Sequence, residues 1–150
     1  MKFIIPARKG SIGFPKKNRY LFKYTAEILK EYSDNVIVST NDDYIASLAR
    51  KSNFSVHNRT EENAKSTSTT YDIMREIVDF YNFEKNEILV MLYLTYPGRK
   101  IKDVKNAIDF FKKSNSKSML CYYEPDDSPY LMMYVVEVLF AFSSVLLCTE

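Results

Sequence analysis

Short runs of consecutive apolar residues alternate along the chain with stretches in which apolar residues recur every three or four positions. The two patterns predict different elements. Mostly apolar residues at 2–7, broken by Pro6 and followed by a basic, glycine-containing stretch at 8–18, predict a buried strand feeding a loop. Residues 24–32 predict a helix. Val36, Ile37 and Val38 are consecutive β-branched residues between Asp34-Asn35 and Ser39-Thr40-Asn41, as in a strand buried on both faces. Asp42 or Asp43 then caps a helix running to Lys51. A short strand at 54–57 and a polar loop precede a helix from about 70 to 81, whose spacing puts Ile73, Ile77, Phe80 and Tyr81 on one side. A strand follows at 88–94. Pro97-Gly98 breaks the chain, after which Ile101, Val104, Ile108 and Phe111 recur at helical spacing with lysines opposite, and 118–123 closes the series as a strand. Strand and helix alternate about four times, which predicts an α/β fold: a mostly parallel sheet flanked by helices, with right-handed crossovers. Ligands of such sheets sit at the carboxyl ends of the strands.

The last part of the chain breaks the alternation. Residues 131–148 carry one formal charge, Glu137, over 18 positions, the lower limit for a membrane span. A glutamate near the middle costs about 2.5–3.5 kcal/mol on insertion, and Val135, Val136, Val138 and Phe140 have strand chemistry, so no span is expected. Residues 131–140 are expected as a strand at the sheet edge, with the residues up to Cys148 leaving apolar surface uncovered. Such an edge favours self-association, as a homodimer or non-specifically.

At 150 residues and 46% apolar the chain is the size of one domain and can fill a core. Charge adds a second clue, because the net +2 hides an asymmetry: eight of the 21 basic residues lie in the first 30 positions, against Glu27 alone. A small anion is expected at that end of the chain. Nucleic acid is not, since the basic residues gather in one loop while the 12 tyrosines are spread through strands and helices. Cys121 and Cys148 lack the spacing of a zinc or redox site and read as reduced thiols; His57, the single histidine, leaves nucleophilic hydrolysis one possible base. The start Met-Lys-Phe-Ile-Ile-Pro is too short an apolar stretch for a signal peptide, and a cytoplasmic protein is expected.

The most informative stretch is the loop after the first strand. Gly10 and Gly13 lie three apart, flanked by Arg8, Lys9, Lys16 and Lys17. Glycines let main-chain N–H groups approach an anion, so the loop suits a polyphosphate. It is not a Walker A loop, because Phe14-Pro15 follows Gly13 where Lys-Ser or Lys-Thr is needed. It is not a dinucleotide fingerprint, because the third glycine is missing and no helix is expected to open at the loop.

From Ile5 to Asn18 the sequence follows Ile-Pro-Ala-Arg-x-Gly-Ser-x-Gly-x-Pro-x-Lys-Asn, which resembles the signature of the acylneuraminate cytidylyltransferases. Further blocks are similar to that family in order: residues 36–42 with Ile45-Ala46; Arg59, Glu61 or Glu62, Ala64, Thr67, Thr69 and Thr70; residues 92–99 with Thr95, Pro97 and Arg99; and Ser128-Pro129-Tyr130. The resemblance spans residues 3 to about 134. It implies a Rossmann-like nucleotide-diphospho-sugar transferase fold with its C-terminal part missing. Residues 1–134 would be an incomplete nucleotide-binding domain and 135–150 an apolar tail of unclear role. It also implies a reaction in which the anomeric hydroxyl of a sialic-acid-like nine-carbon sugar acid attacks the α-phosphate of CTP, giving the CMP-sugar and pyrophosphate with Mg²⁺.

Carried onto this chain, the resemblance makes Arg8 and Lys17 the catalytic cations at the triphosphate, with Gly10, Ser11 and Gly13 shaping its pocket. Asn18, Arg59 and Thr69 would hold the nucleoside; Tyr93, Arg99 and Tyr130 would lie on the sugar-acid side. Ile12 stands where the family commonly has lysine, Tyr93 where it has glutamine and Leu94 where it has proline. No acidic residue is assigned to a metal by motif. The short chain leaves an alternative, a truncated nucleotide-binding remnant without turnover.

Overall fold

The computed structural model describes residues 1–10, 13–121 and 144–148, the last through their backbone. Strand β1 (Lys2–Pro6) is followed by α1 (Lys17–Ile28), a 3₁₀ segment (Lys30–Asn35), β2 (Val36–Thr40), α2 (Asp43–Lys51) and β3 (Ser55–Asn58). Then come α3 (Thr70–Tyr81), β4 (Ile88–Leu92), α4 (Ile101–Lys113), β5 (Ser118–Cys121) and β6 (Ser144–Cys148). The sheet order is β3-β2-β1-β4-β6-β5. The first four strands are mutually parallel, in register through pairs such as Ile4 with Ile37 and Phe3 with Val90. This is the expected α/β architecture.

Alternation along the central strands divides the core into two layers. Phe3, Ile5, Val36, Val38, Val90 and Leu92 face one side, packed against Phe22 of α1, Ile45 and Ala49 of α2, and Val104, Ile108 and Phe111 of α4. Ile4, Ile37, Leu89 and Met91 face the other, where Ile73, Met74 and Ile77 of α3 cover them. Asp42 accepts the Tyr44 N–H at 3.0 Å as the α2 cap, and Arg19 of α1 reaches the same carboxylate through two bonds of 2.8 and 2.9 Å.

Several boundaries differ from expectation. The first helix starts at Lys17, seven residues before the predicted 24, and stops at Ile28. Its entry, Lys16, takes a left-handed backbone with φ 58° and supplies no side-chain cap, so the usual start signal is missing. Strand β3 is shifted by one residue, and β4 ends at Leu92 rather than at 94. Phe80, expected on the buried side of α3, is 66% exposed, and Met74 is buried in its stead.

The expected edge strand at 131–140 lies outside the described residues. Residues 144–148, expected to be uncovered, form β6 inside the sheet, antiparallel to both β4 and β5. Their unbroken apolar run suits a strand with neighbours on each side. Among the described residues, no helix is long and apolar enough to cross a membrane.

Candidate functional site

A cleft of about 400 Å³ opens where β1, β3 and β4 end. Its lining includes Arg8, Gly13, Lys17 and Asn18 from the first loop and first turn of α1, Arg59 beyond β3, and Tyr93 beyond β4. Arg8 and Tyr93, 85 positions apart, thus meet at the carboxyl edge of the sheet, as the topology requires.

The loop is braced from below. Ala7 N–H donates to the Ser39 carbonyl at 2.9 Å and the Thr40 hydroxyl to the Ala7 carbonyl at 2.5 Å, which fixes the exit of β1 against β2. The Asn18 amide donates to the Arg8 carbonyl at 2.9 Å, closing the loop on itself. Lys9 N–H donates to Asn41 Oδ1 at 2.8 Å, and Gly10 turns the chain with φ +80°, a backbone that L side chains rarely adopt. Arg8 reaches across to the Ala64 carbonyl at 3.3 Å. A helix does open at this loop, contrary to expectation, so the positive dipole end of α1 adds to the cations there, while the Lys17 and Arg19 N–H groups are taken by the Phe14 and Lys16 carbonyls.

Charge in the cleft has one sign. Among the described residues, Arg8, Lys17, Arg59 and Lys65 line it and no carboxylate does; Lys65 is paired with Glu62. Arg59 is 5% exposed; burial, with Arg8 nearby, pushes its guanidinium down to about 10 despite the opposing influence of Glu76. It remains charged at neutral pH. Its Nε donates to Ser39 Oγ at 3.1 Å and one terminal nitrogen to the Ser39 carbonyl at 3.0 Å, leaving the rest of the group toward the cleft.

Not every expected residue reaches the cavity. Thr69 caps α3: its hydroxyl lies 2.6 Å from Asp72 Oδ2 and accepts the Asp72 N–H at 3.2 Å, a reciprocal box that turns it away. Its neighbour Thr70 faces the cleft instead, with its hydroxyl 2.6 Å from that of Tyr93. Arg99 is 5% exposed and braces the turn after β4, donating to the Tyr93 carbonyl at 3.0 Å with its guanidinium 5.5 Å from the Tyr96 ring centre. It does not line the cleft, and neither does Gly10. Ser11 and Tyr130 lie outside the described residues.

Sequence reasoning missed Asn63, Ser66 and Ser68, short polar side chains that complete the wall opposite the loop. The Thr/Ser-rich composition of 66–70 was the available signal. Among the described residues no three His, Cys, Asp or Glu side chains gather into a metal-holding group. Glu76, near the cleft wall, is already taken by Thr60 and Asn63. A second groove, of about 380 Å³, lies between α1 and α2 over Phe22, Leu48 and Phe54, and no expected site residue reaches it.

Two solved structures share this fold. A cytidylyltransferase from Leptospira borgpetersenii serovar Hardjo-bovis superposes with TM-score 0.69 at 17% identity, over 98% of this chain and 59% of that one. A CMP:2-keto-3-deoxy-manno-octonic acid synthetase complexed with CTP superposes with TM-score 0.59 at 14% identity, over 97% of this chain and 70% of that one. By sequence, the N-acylneuraminate cytidylyltransferase of Streptococcus agalactiae serotype V is 27% identical over 138 residues, 85% of this chain and 33% of the relative. That of serotype III is 26% identical over 136 residues, 84% of this chain and 32% of the relative. The chain thus spans about a third of the length of these curated relatives. The family profile described as Cytidylyltransferase matches residues 2–137, and the chain belongs to that family.

Proposed function

We propose that the cleft binds CTP and that the protein acts as a nucleotidyltransferase, passing CMP to a sialic-acid-like sugar acid. The observation that carries this reading is the cationic cleft: Arg8, Lys17, Arg59 and Lys65, the last paired with Glu62, and a helix N-terminus at the carboxyl ends of parallel strands, with no carboxylate lining it among the described residues. A triphosphate is the ligand such a site favours most, because cationic side chains and a helix N-terminus both attract its charge.

Arg8 and Lys17 hold the phosphates and offset charge that develops on the leaving pyrophosphate. Asn18 keeps the loop closed around them, and Arg59 lies toward the nucleoside. The sugar hydroxyl oxygen bonds to the α-phosphorus as the bond to the β-phosphate oxygen breaks; pyrophosphate leaves, and the hydroxyl proton passes to solvent. Tyr93, hydrogen-bonded to Thr70, walls the acceptor side. Mg²⁺ would supply further charge neutralisation on the phosphates. A second reading, in which the same cleft binds CTP without turnover, draws on the same cations.

Pyrophosphate release from CTP, measured with Mg²⁺ and sialic, legionaminic or pseudaminic acid, separates the two. Release that depends on the sugar acid is expected for the transferase. CTP binding with no release under any acceptor supports the binding protein instead.

A further inference from the structure

Beneath the cleft floor, four polar side chains from three segments meet, two of them sealed from solvent. Ser39 is the last residue but one of β2, His57 lies on β3, Arg59 follows β3, and Glu76 projects from α3. Ser39 is 0% and His57 2% exposed. Arg59 Nε lies 3.1 Å from Ser39 Oγ, which lies 3.1 Å from His57 Nδ1; His57 Nε2 is 3.8 Å from Glu76 Oε1. Glu76 is itself held by the Thr60 N–H at 2.8 Å, the Thr60 hydroxyl at 3.2 Å and the Asn63 amide.

The direction of these bonds follows from where each proton can go. A guanidinium only donates, so Ser39 Oγ accepts from Arg59, and among the described residues the acceptor within reach of its own proton is His57 Nδ1. Nδ1 must then be bare, and the imidazole proton sits on Nε2, facing Glu76. The Ser39 hydroxyl proton finds its acceptor only when Nδ1 is bare, and the imidazole proton on Nε2 then lies on the side of Glu76. A proton on Nδ1 would take the second lone pair of Ser39 Oγ and leave the Ser39 hydroxyl proton without its acceptor; with Nε2 protonated as well, it would also put two cations around one buried hydroxyl.

Serine, histidine and glutamate in this order resemble a hydrolytic triad, but the arrangement excludes that use. Ser39 is sealed from solvent and already accepts from Arg59, so its oxygen has no route to a substrate.

We propose that Glu76, His57 and Ser39 form a buried relay that positions the Arg59 guanidinium on the cleft floor for nucleotide binding, with the neutral Nε2–H form of His57 as the competent state. The proposal rests on the reading of the cleft as a CTP site. The charged and titratable groups facing His57 are Glu76 and, 6.2 Å away ring to ring, Tyr81 from α3, with Arg59 on the far side. Burial first, then Arg59, lowers the imidazole pKa below 6.5, against an opposing pull from Glu76. Acid is therefore what breaks the relay.

His57 is the one histidine in the chain, so its ring nitrogens can be read in a long-range ¹H–¹⁵N spectrum of the whole protein without assignment. The expected result at about pH 7.5 is the Nε2–H tautomer, lost to a mixture in Ser39→Ala. An Nδ1–H tautomer, or a ring already protonated there, overturns the relay. In parallel, CTP affinity is measured by calorimetry at about pH 7.5 and about pH 5.5. His57→Gln keeps a donor toward Glu76 and an acceptor toward Ser39 but cannot take a proton. Protonation of CTP itself weakens both proteins equally, so the expected difference is an additional loss of about tenfold in the wild type alone, the scale of a hydrogen bond to a charged group. Equal losses in the two proteins overturn the positioning role. No CTP binding by the wild type at the higher pH overturns the CTP reading, and the tautomer still decides the relay.

Discussion

Truncating Ile77 to alanine tests how the fold holds its second face. Among the described residues, α3 is the helix that covers Ile4, Ile37, Leu89 and Met91, and Ile77 lies at the centre of that contact with 0% exposure. The substitution removes about three methylene equivalents at ~0.8 kcal/mol each, or ~2.4 kcal/mol of transfer free energy. Partial collapse leaving a void of about 50 Å³ adds ~1.2 kcal/mol at ~24 cal/mol per Å³, a total near 3.5 kcal/mol within the usual range for such changes. At 150 residues that corresponds to a fall in melting temperature of about 7–14 °C. Urea unfolding followed by far-ultraviolet circular dichroism gives the free energy directly. Phe80→Ala is the internal control. Its ring is 66% exposed and meets the His57 ring edge-on at 5.0 Å, so its removal is expected to cost about 1 kcal/mol or less. A loss below ~1 kcal/mol for Ile77→Ala, or a larger loss for Phe80→Ala, would refute this account of the core.

Asp42→Ala removes the α2 cap and the partner of Arg19, and the cap alone is expected to cost about 1 kcal/mol in urea unfolding. Desolvation pushes the Asp42 pKa up, but the Arg19 hydrogen bond and the Tyr44 N–H outweigh it and hold it below 3.8. The wild-type advantage should therefore be full above the ordinary carboxylate range and shrink as pH falls through the lower folded value. Unfolding curves with an unchanged gap in acid would contradict this. Thr69→Ala is expected to lower stability by about 1 kcal/mol through the lost capping box. Thr70→Ala, by contrast, is expected to show its effect in CTP titrations; the reverse pattern would return Thr69 to the cleft.

The parts of the fold read correctly from sequence are those whose signal is local. Val36, Ile37 and Val38 are consecutive and β-branched, and α3 begins and ends where its periodicity does because Thr69 and Asp72 form a box visible as Thr-x-x-Asp. The start of α1 was hidden for a physical reason. Lys16, Lys17, Asn18 and Arg19 look like loop, and a left-handed lysine replaces the usual capping side chain. Phe80 was misplaced because, at about 100° per residue, it sits on the opposite flank of Ile77 from Met74, and the sheet takes the Met74 flank. In the site, Arg8, Gly13 and Lys17 were legible as neighbours in one loop. Ser39, His57, Arg59 and Glu76 come from β2, the β3 region and α3, so only the folded sheet brings them together. Thr69 and Thr70 differ by one residue, and hence by a large turn of the helix, which composition does not resolve.

The central claim is that a triphosphate sits against the loop after β1, and calorimetric titration of CTP into wild type and Lys17→Ala tests it most directly. Lys17 lines the cleft at the first turn of α1 and, among the described residues, pairs with no carboxylate, so its charge is available to the ligand. Saturable binding by the wild type is predicted, weakened in the variant by about 1.5–3 kcal/mol, or roughly 10- to 150-fold. Equal affinity in the two proteins, or no saturable binding by the wild type, would contradict the claim.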